Sequence, residues 1–487
     1  MLPALQTIPW AIVLILLPLV AGMLCFLWPR LAPTLGMATA SINVLAVAAL
    51  AWQLHFRFHG SYRHAVGGWG APLGIDLYAD GLSLLLLLAT ALVGLGVSLY
   101  AVGYFRPEQA RRFWPIWLLL LGALHALFFA ADIFNLYVTL ELVGLAAVAL
   151  ASLNGDGPAV SGAMRYLLAT LLGSLSYLLG VALLYHAYGT VDIALLAARV
   201  DSTPVTWAAL GLMVTGLLLK TALFPLHFWL PPAHASAPAP VSALLSALVV
   251  KASFYILLRL WLAIFSPMGG HVADLLGLLG MAAILWGSVQ ALRQPRLKLL
   301  IAYSTVAQLG YLFLAFPRAR TGISVWRAAL YLLLSHALAK AAMFMTAGNL
   351  LRFGHHDRIA DLDRVVQRVP ITAGAFALAG VSIMGLPPSG GFIGKWLLLE
   401  AALSQGRWDI VGIILVGGLL AAAYVFKVMG HAFTQAGVTH EAHRVPRTME
   451  WTALSLAFAA ILLGFVAVPL LHLINTGAVA VGFEVSG

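Results

Sequence analysis

Residues 220–251 read KTALFPLHFWLPPAHASAPAPVSALLSALVVK, and this stretch decides how the chain folds. Lys220 closes an apolar run, GLMVTGLLLK, whose helix must break at Pro225, since proline lacks the amide donor and clashes with the preceding turn. Pro231, Pro232, Pro238 and Pro240 keep the next segment irregular around His227 and His234. A second helix, SALLSALVVKASFYILL, then carries Lys251 in its interior. A helix broken inside a membrane, with ionisable groups on both sides of the break, is how many transporters build a site near the bilayer midplane.

The rest of the composition supports a membrane setting. Of 487 residues, 62% are hydrophobic and 9% charged, and the mean hydropathy is +0.97. Repeated apolar runs of about 20 residues indicate a polytopic helical membrane protein. The first run, residues 8–28, lacks a basic leader and a small-residue cleavage site, so it reads as a membrane helix and not as a cleaved signal. Cys25 is the only cysteine, which excludes disulfides and cysteine-held metal or iron–sulfur clusters within this chain. The net charge of +10 comes from arginines in short loops, which fits orientation in a bilayer better than nucleic-acid binding.

The lysines are distributed differently. Of 21 arginines only Arg259 falls inside an expected span, whereas five of six lysines do: Lys220, Lys251, Lys340, Lys395 and Lys427. A buried lysine can lose its proton and an arginine cannot. A membrane chain that keeps arginine out and lysine in looks built to move protons.

Fourteen spans are expected, the seventh (205–231) and twelfth (369–403) broken. The second break is VSIMGLPPSGGFIGKWLLLE, where Pro387, Pro388, Gly390 and Gly391 cannot continue one helix. Two broken helices five spans apart point to an internal repeat of five spans, inverted because the number is odd. Residues 57–79 should fold as a surface hairpin or loop. Residues 352–368, with charges at helical spacing, read as a solvated amphipathic linker. Alternate loops, with Lys298 on one side and Arg320 on the other, carry basic residues in a two-to-one ratio. That ratio puts both termini outside.

Glu141 lies mid-span in DIFNLYVTLELVGLAAVAL, at a depth where a lone charge costs roughly 2.5–3.5 kcal/mol. Lys220 is its natural partner, either as a structural lock or as a proton switch. Lys251 has no acid beside it, the setting in which lysine acts as a relay, although snorkelling is the plainer reading. His227 and His234 flank the break and are either shuttles or satisfied core histidines; their spacing fits no common zinc pattern. His336 and Lys340 share a helix face and extend a polar path into the second half. Lys395 adjoins the second break, with Glu400 as its acid or as a cap on the inner end of that half-helix. Lys427, near the end of its span, reads as snorkelling. Tyr303, Ser304 and Gln308 either hold water or join helices. No nucleotide loop or nucleophile–base arrangement stands out, so neither catalysis nor a cofactor is expected in this chain.

These residues lie in motifs that resemble a known family. FNLYVTLEL, the 220–251 stretch, LIAYSTVAQLGY, SHALAKAAMF and GLPPSGGFIGKW resemble the antiporter-like subunits of respiratory complex I, membrane-bound hydrogenases and Mrp cation/proton antiporters. WGAPLGIDLYADGLS and a lysine on helix twelve are most similar to the D-type subunits of Mrp antiporters. The resemblance implies fourteen helices, with two inverted five-helix repeats at 113–265 and 266–433, preceded by 1–112 and followed by 434–487. It implies a polar axis through Glu141, Lys220, Lys251, His336, Lys340 and Lys395. The expected function is proton translocation, with Na⁺ exchange open, in the bacterial inner membrane alongside other membrane subunits of such a complex. A complex I-like, hydrogenase-linked or inorganic-carbon uptake assembly is the alternative host. Two other classes are a structural subunit without transport of its own and a stand-alone solute carrier.

Overall fold

The computed structural model describes residues 9–58, 60–318, 323–436 and 442–475. Arg320 and the outermost ends of the first and last units lie outside the described residues. The first half contains α1 (Trp10–Leu27), α2 (Ala32–Phe56), α3 (Gly81–Tyr104), α4 (Pro107–Phe129), α5 (Ile133–Ala151) and α6 (Gly157–Tyr188). It continues with α7 (Ile193–Arg199), α8 (Pro204–Thr221), α9 (Leu230–Ser236) and α10 (Ala239–Phe265). The second half contains α11 (Gly270–Arg293), α12 (Leu297–Phe313), α13 (Ile323–Gly354), α14 (Pro370–Met384) and α15 (Gly390–Ser404). It closes with α16 (Trp408–Phe433), α17 (Arg447–Phe465) and α18 (Ala467–Asn475). Twelve of these are long and apolar enough to cross a membrane, and α12 and α14 are apolar but shorter. Together they trace the fourteen expected crossings, with the seventh and twelfth broken.

Both breaks use the same backbone devices in the same order. Helix α8 stops at Thr221 because Ala222 takes a left-handed φ of 56°, and α14 stops at Met384 because Gly385 takes 82°. Three residues later, each break contains a cis X–Pro bond, at Phe224–Pro225 and Pro387–Pro388. After the first break, the Trp229 ring stacks on Tyr166 at 4.3 Å and its indole N–H donates to the Leu219 carbonyl at 2.8 Å, beside the Ala222 N–H at 3.2 Å.

The layering is inverted relative to a water-soluble protein. The most apolar windows of α10 and α13 are 100% buried, so these two helices form the interior, while those of α1, α2 and α16 are only 33–39% buried. On α6, Leu168, Leu172, Leu175 and Leu179 form an exposed stripe at helical spacing, as expected of a lipid-facing surface. Close helix crossings use glycine: a β-carbon on Gly173 would stand 2.8 Å from the Gly216 carbonyl oxygen, and one on Gly280 would stand 2.7 Å from that of Gly310. Such small-residue contacts let backbones approach where lipid supplies no hydrophobic drive.

The expected hairpin is present within residues 60–79, β1 (Tyr62–Ala65) pairing antiparallel with β2 (Asp76–Ala79). Arg63 fastens it to the helices, donating from Nε to Asp76 at 2.7 Å and from Nη2 to Asp192 at 2.6 Å. The linker 352–368 differs from expectation. It is strapped to the α11–α12 turn through Leu297 N–H to Asp357 O, Ile359 N–H to Pro295 O, and Arg296 to the buried Asp357 carboxylate. Ile359, Leu362 and Val365 are also buried, so its charges alternate with core contacts and do not form one solvated face.

Candidate functional site

Helix α5 brings Glu141 to α8, where Lys220 Nζ donates to its carboxylate at 2.7 Å. Ser174, from α6, donates to the same carboxylate oxygen. The lysine side chain is 4% exposed and that of the glutamate 19%, so the acid is the half of the pair that solvent or lipid can reach. Thr221 Oγ1 then donates to Ser253 Oγ at 2.9 Å, joining the end of α8 to the turn of α10 that carries Lys251.

Lys251 is completely buried among the helices. Residues Leu245–Val249 form a π-helical turn, which loosens the ladder and leaves the Ser246 carbonyl to accept from Lys251 Nζ. The Ser246 hydroxyl pairs with Thr305 of α12 at 2.9 Å. One residue back, Ser304 accepts from Lys340 Nζ, which also donates to the Ile301 carbonyl at 3.1 Å. One turn on, Gln308 donates to the Ile383 carbonyl at the second break. Lys395 Nζ donates to that carbonyl at 2.7 Å and to Met384 O at 3.3 Å, with its charge 4.4 Å from the centre of the Tyr311 ring. Helix α12 thus links Lys251, Lys340 and Lys395.

Two histidines sit among these lysines. His336 is 2% exposed, and neither ring nitrogen has a hydrogen-bond partner among the described residues. The charges acting on it are those of Lys251, Lys340 and Lys395. His234, stacked on Phe344 at 4.7 Å with an unpartnered Nδ1, lies in the field of Lys298, Lys340 and Lys251. Both ring nitrogens of His336 and Nδ1 of His234 are thus buried polar atoms without a protein partner among the described residues, the kind of group that internal water commonly serves. His227 is more peripheral, packed against Phe224 and Tyr303.

Five of the six lysines donate to backbone carbonyls: Lys251, Lys395, Lys298 and Lys427 at helix ends or an irregular turn, and Lys340 within α12. Only Lys220 pairs with an acid among the described residues. A neutral carbonyl accepts from an ammonium or an amine alike, so losing the proton leaves no stranded counter-charge. A lysine held in this way can titrate without breaking its surroundings.

Several placements differ from the sequence expectation or extend it. Glu400 is exposed, and the structure does not bring it to Lys395: five residues along a helix of 3.6 per turn point the two side chains apart. Lys298, counted among loop charges, is 3% exposed and donates to Ala237 O and Ala235 O at the end of α9. Its position two residues past Arg296, inside LKLLIAY, was the available signal. Lys427 is tied to Leu292 O and Gln294 O at the end of α11. His125 Nδ1 pairs with Leu14 O at 2.6 Å, a core contact. Arg259 is buried in a bidentate pair with Asp80 at 2.8 and 3.0 Å, supported by Ser83 and Tyr255. No sequence pattern announced that partner across so many residues.

Comparison with known proteins places this geometry. Residues 130–421 match the family described as NADH:quinone oxidoreductase/Mrp antiporter, TM. The chain is 36% identical over 433 residues to NADH-quinone oxidoreductase subunit N of Desulforudis audaxviator, covering 87% of this chain and 86% of that one. It is 29% identical over 430 residues to the D-type subunit of the Na(+)/H(+) antiporter of Bacillus subtilis, covering 86% of each. Among solved structures, a chain of the archaeal membrane-bound sulfane sulfur reductase superimposes with a TM-score of 0.89 at 28% identity, covering 97% of both. A chain of the Mrp complex from Dietzia sp. DQ12-45-1b gives 0.88 over 97% of both at 24% identity, a likeness of fold alone. The matched region contains every residue of the lysine line from Glu141 to Lys395, and on these grounds the chain belongs to the NADH:quinone oxidoreductase/Mrp antiporter family of membrane subunits.

Proposed function

We propose that this chain translocates protons as an antiporter-like subunit of a multisubunit membrane complex. The path runs from the Glu141–Lys220 pair through Lys251, then His336 and Lys340, to Lys395. The observation that carries this reading is the connected file of buried lysines, four of them from Lys220 to Lys395, bridged by hydroxyls of α10 and α12 and bonded, beyond Lys220, to neutral acceptors. Moving one proton through a 100 mV potential involves about 2.3 kcal/mol. Separation of Glu141 from Lys220 raises the energy of the lysine charge, so in this reading their contact gates entry. His234 and His227 lie at the first break as the entry side, and Glu400 takes no part.

The repeat units run from 113 to 265 and from 266 to 433, each containing one broken helix, with 1–112 and 434–487 as flanking helices. The chain resides in a bacterial inner membrane with both termini on the outer side, beside other membrane subunits. The higher identity to a complex I subunit N favours a redox-linked host, and an Mrp-type host with Na⁺ exchange is the second reading, supported by the Na(+)/H(+) antiporter relatives. Reconstituting the purified native complex into proteoliposomes tests the proposal. Lys220→Ala and Lys251→Ala should each abolish proton flux while the complex stays assembled. Flux unchanged in both variants would instead mean a structural subunit.

A further inference from the structure

Four turns, α3–α4, α5–α6, α13–α14 and α16–α17, meet at one end of the bundle around a cavity of about 580 Å³. Its walls carry Arg106, Arg352, Arg444, His355 and His443, and no acid is among the described lining residues. Arg106 and Arg444 form no ion pair among the described residues, and Arg352 donates to neutral acceptors, Gly103 O at 2.7 Å and Met449 Sδ at 3.7 Å. The cavity at the other end of the helices, about 350 Å³ around Arg63 and Arg259, is different: both of its arginines are held by carboxylates. Three arginines around one cavity, with no acid among its described lining residues, repel one another unless an anion joins them.

The local backbone is shaped around the same spot. His355 holds a left-handed φ of 56°, a conformation strained for a non-glycine residue. The His443 N–H donates to Phe353 O at 2.9 Å, and the rings of His355 and His443 meet edge to face at 4.3 Å. These contacts pin the α16–α17 turn to the end of α13. Phe105 also lines a second cavity of about 370 Å³, walled by Pro33, Ala101, Val102 and Trp114 together with Arg30 and Arg111. A basic chamber thus adjoins one whose apolar walls are rimmed by two further arginines.

We propose that this pair of cavities binds the phosphate of an anionic phospholipid. The headgroup sits between Arg106, Arg352 and Arg444, and an acyl chain runs past Phe105. The guanidinium fork matches phosphate oxygens two at a time, and basic pockets between membrane helices suit acidic headgroups. This site uses none of the lysine line and stands whether or not that line conducts.

The test is retention of lipid by the native complex after detergent washing, read by native mass spectrometry with added phosphatidylglycerol or phosphatidylcholine. Wild type should retain phosphatidylglycerol preferentially, and Arg352→Gln/Arg444→Gln should lower that retention by about tenfold or more. Arg112→Gln, an exposed arginine outside the cavity, should leave it unchanged, and unaltered size-exclusion behaviour of the double variant would show that it folds. Equal retention of the two lipids, or full retention by the double variant, overturns the proposal. An inorganic phosphate arm separates the sources: phosphate stabilising wild type but not the double variant, without any lipid preference, keeps a phosphate site but overturns the lipid assignment.

Discussion

At the scale of single residues, what distinguishes the buried lysines is what accepts their hydrogen bonds. Lys220 faces a carboxylate, so its charge is bound to that of Glu141, whereas Lys251, Lys340 and Lys395 face backbone oxygens. Glu141→Gln should keep an acceptor for Ser174 and Lys220 while removing the counter-charge. The expected result is assembly near wild type with proton flux reduced by about tenfold or more, measured by pH-sensitive dye in proteoliposomes. Ser246→Ala leaves the carbonyl that Lys251 uses and removes only the hydroxyl bond to Thr305. It should therefore cost about 1 kcal/mol of stability yet slow transfer between Lys251 and Lys340. Arg259 is the converse case, a fixed charge in a fixed pair. Arg259→Ala strands Asp80 in the interior and should destabilise by about 3–5 kcal/mol, visible as a lowered melting temperature in detergent, and Arg259→Lys should rescue only part because the fork is lost. The lysines and Glu141 were legible in the sequence because charge inside an apolar run is conspicuous. Asp80 was not, since it caps α3 and reads as an ordinary helix start.

Among the elements, irregular backbone is where the chemistry is. The two breaks and the π turn of α10 each free carbonyls, and lysines take them at the ends of α9 and α14 and within α10. Proline and glycine announced both breaks, but nothing in SALLSALVV announced the π turn, because a helix buried on every side carries no apolar stripe whose phase an extra residue would shift. At the first break Ala222 sits at a left-handed φ where Gly385 sits at the second. Ala222→Gly should therefore raise stability by up to about 1 kcal/mol, measured by thermal denaturation in detergent, without moving Lys220. At the α11–α12 crossing, Gly310→Leu should separate the helices and disturb Ser304, Thr305 and Gln308 together. Loss of flux with intact Glu141 and Lys220 is the expected outcome, since the link between the halves runs along that helix.

For the whole molecule, the distribution of arginine describes orientation. Arg106, Arg352 and Arg444 meet at one end of the bundle, while Arg63 and Arg259 are neutralised at the other. With the arginine-rich end inside, a cysteine placed at Asn154 in a Cys25→Ala background should react with an impermeant maleimide only in inverted vesicles. Reaction in right-side-out vesicles would reverse the assignment of the termini. Composition, run length and proline punctuation by themselves determined a polytopic helical protein with broken seventh and twelfth crossings, because a bilayer forces every spanning segment to satisfy its own backbone and advertise its apolarity. They also placed Glu141, Lys220, Lys251, Lys340 and Lys395 inside apolar spans. Only the tertiary structure decided how those charges are served: that Glu400 faces away from Lys395, that Lys298 is buried, and that Thr305 bridges to Ser246. These outcomes depend on helix rotation and on contacts between residues far apart in the chain, which hydrophobic pattern does not encode. The break at Lys220–Lys251 was written in the sequence; the hydrogen bonds that make it one end of a continuous line were decided by packing.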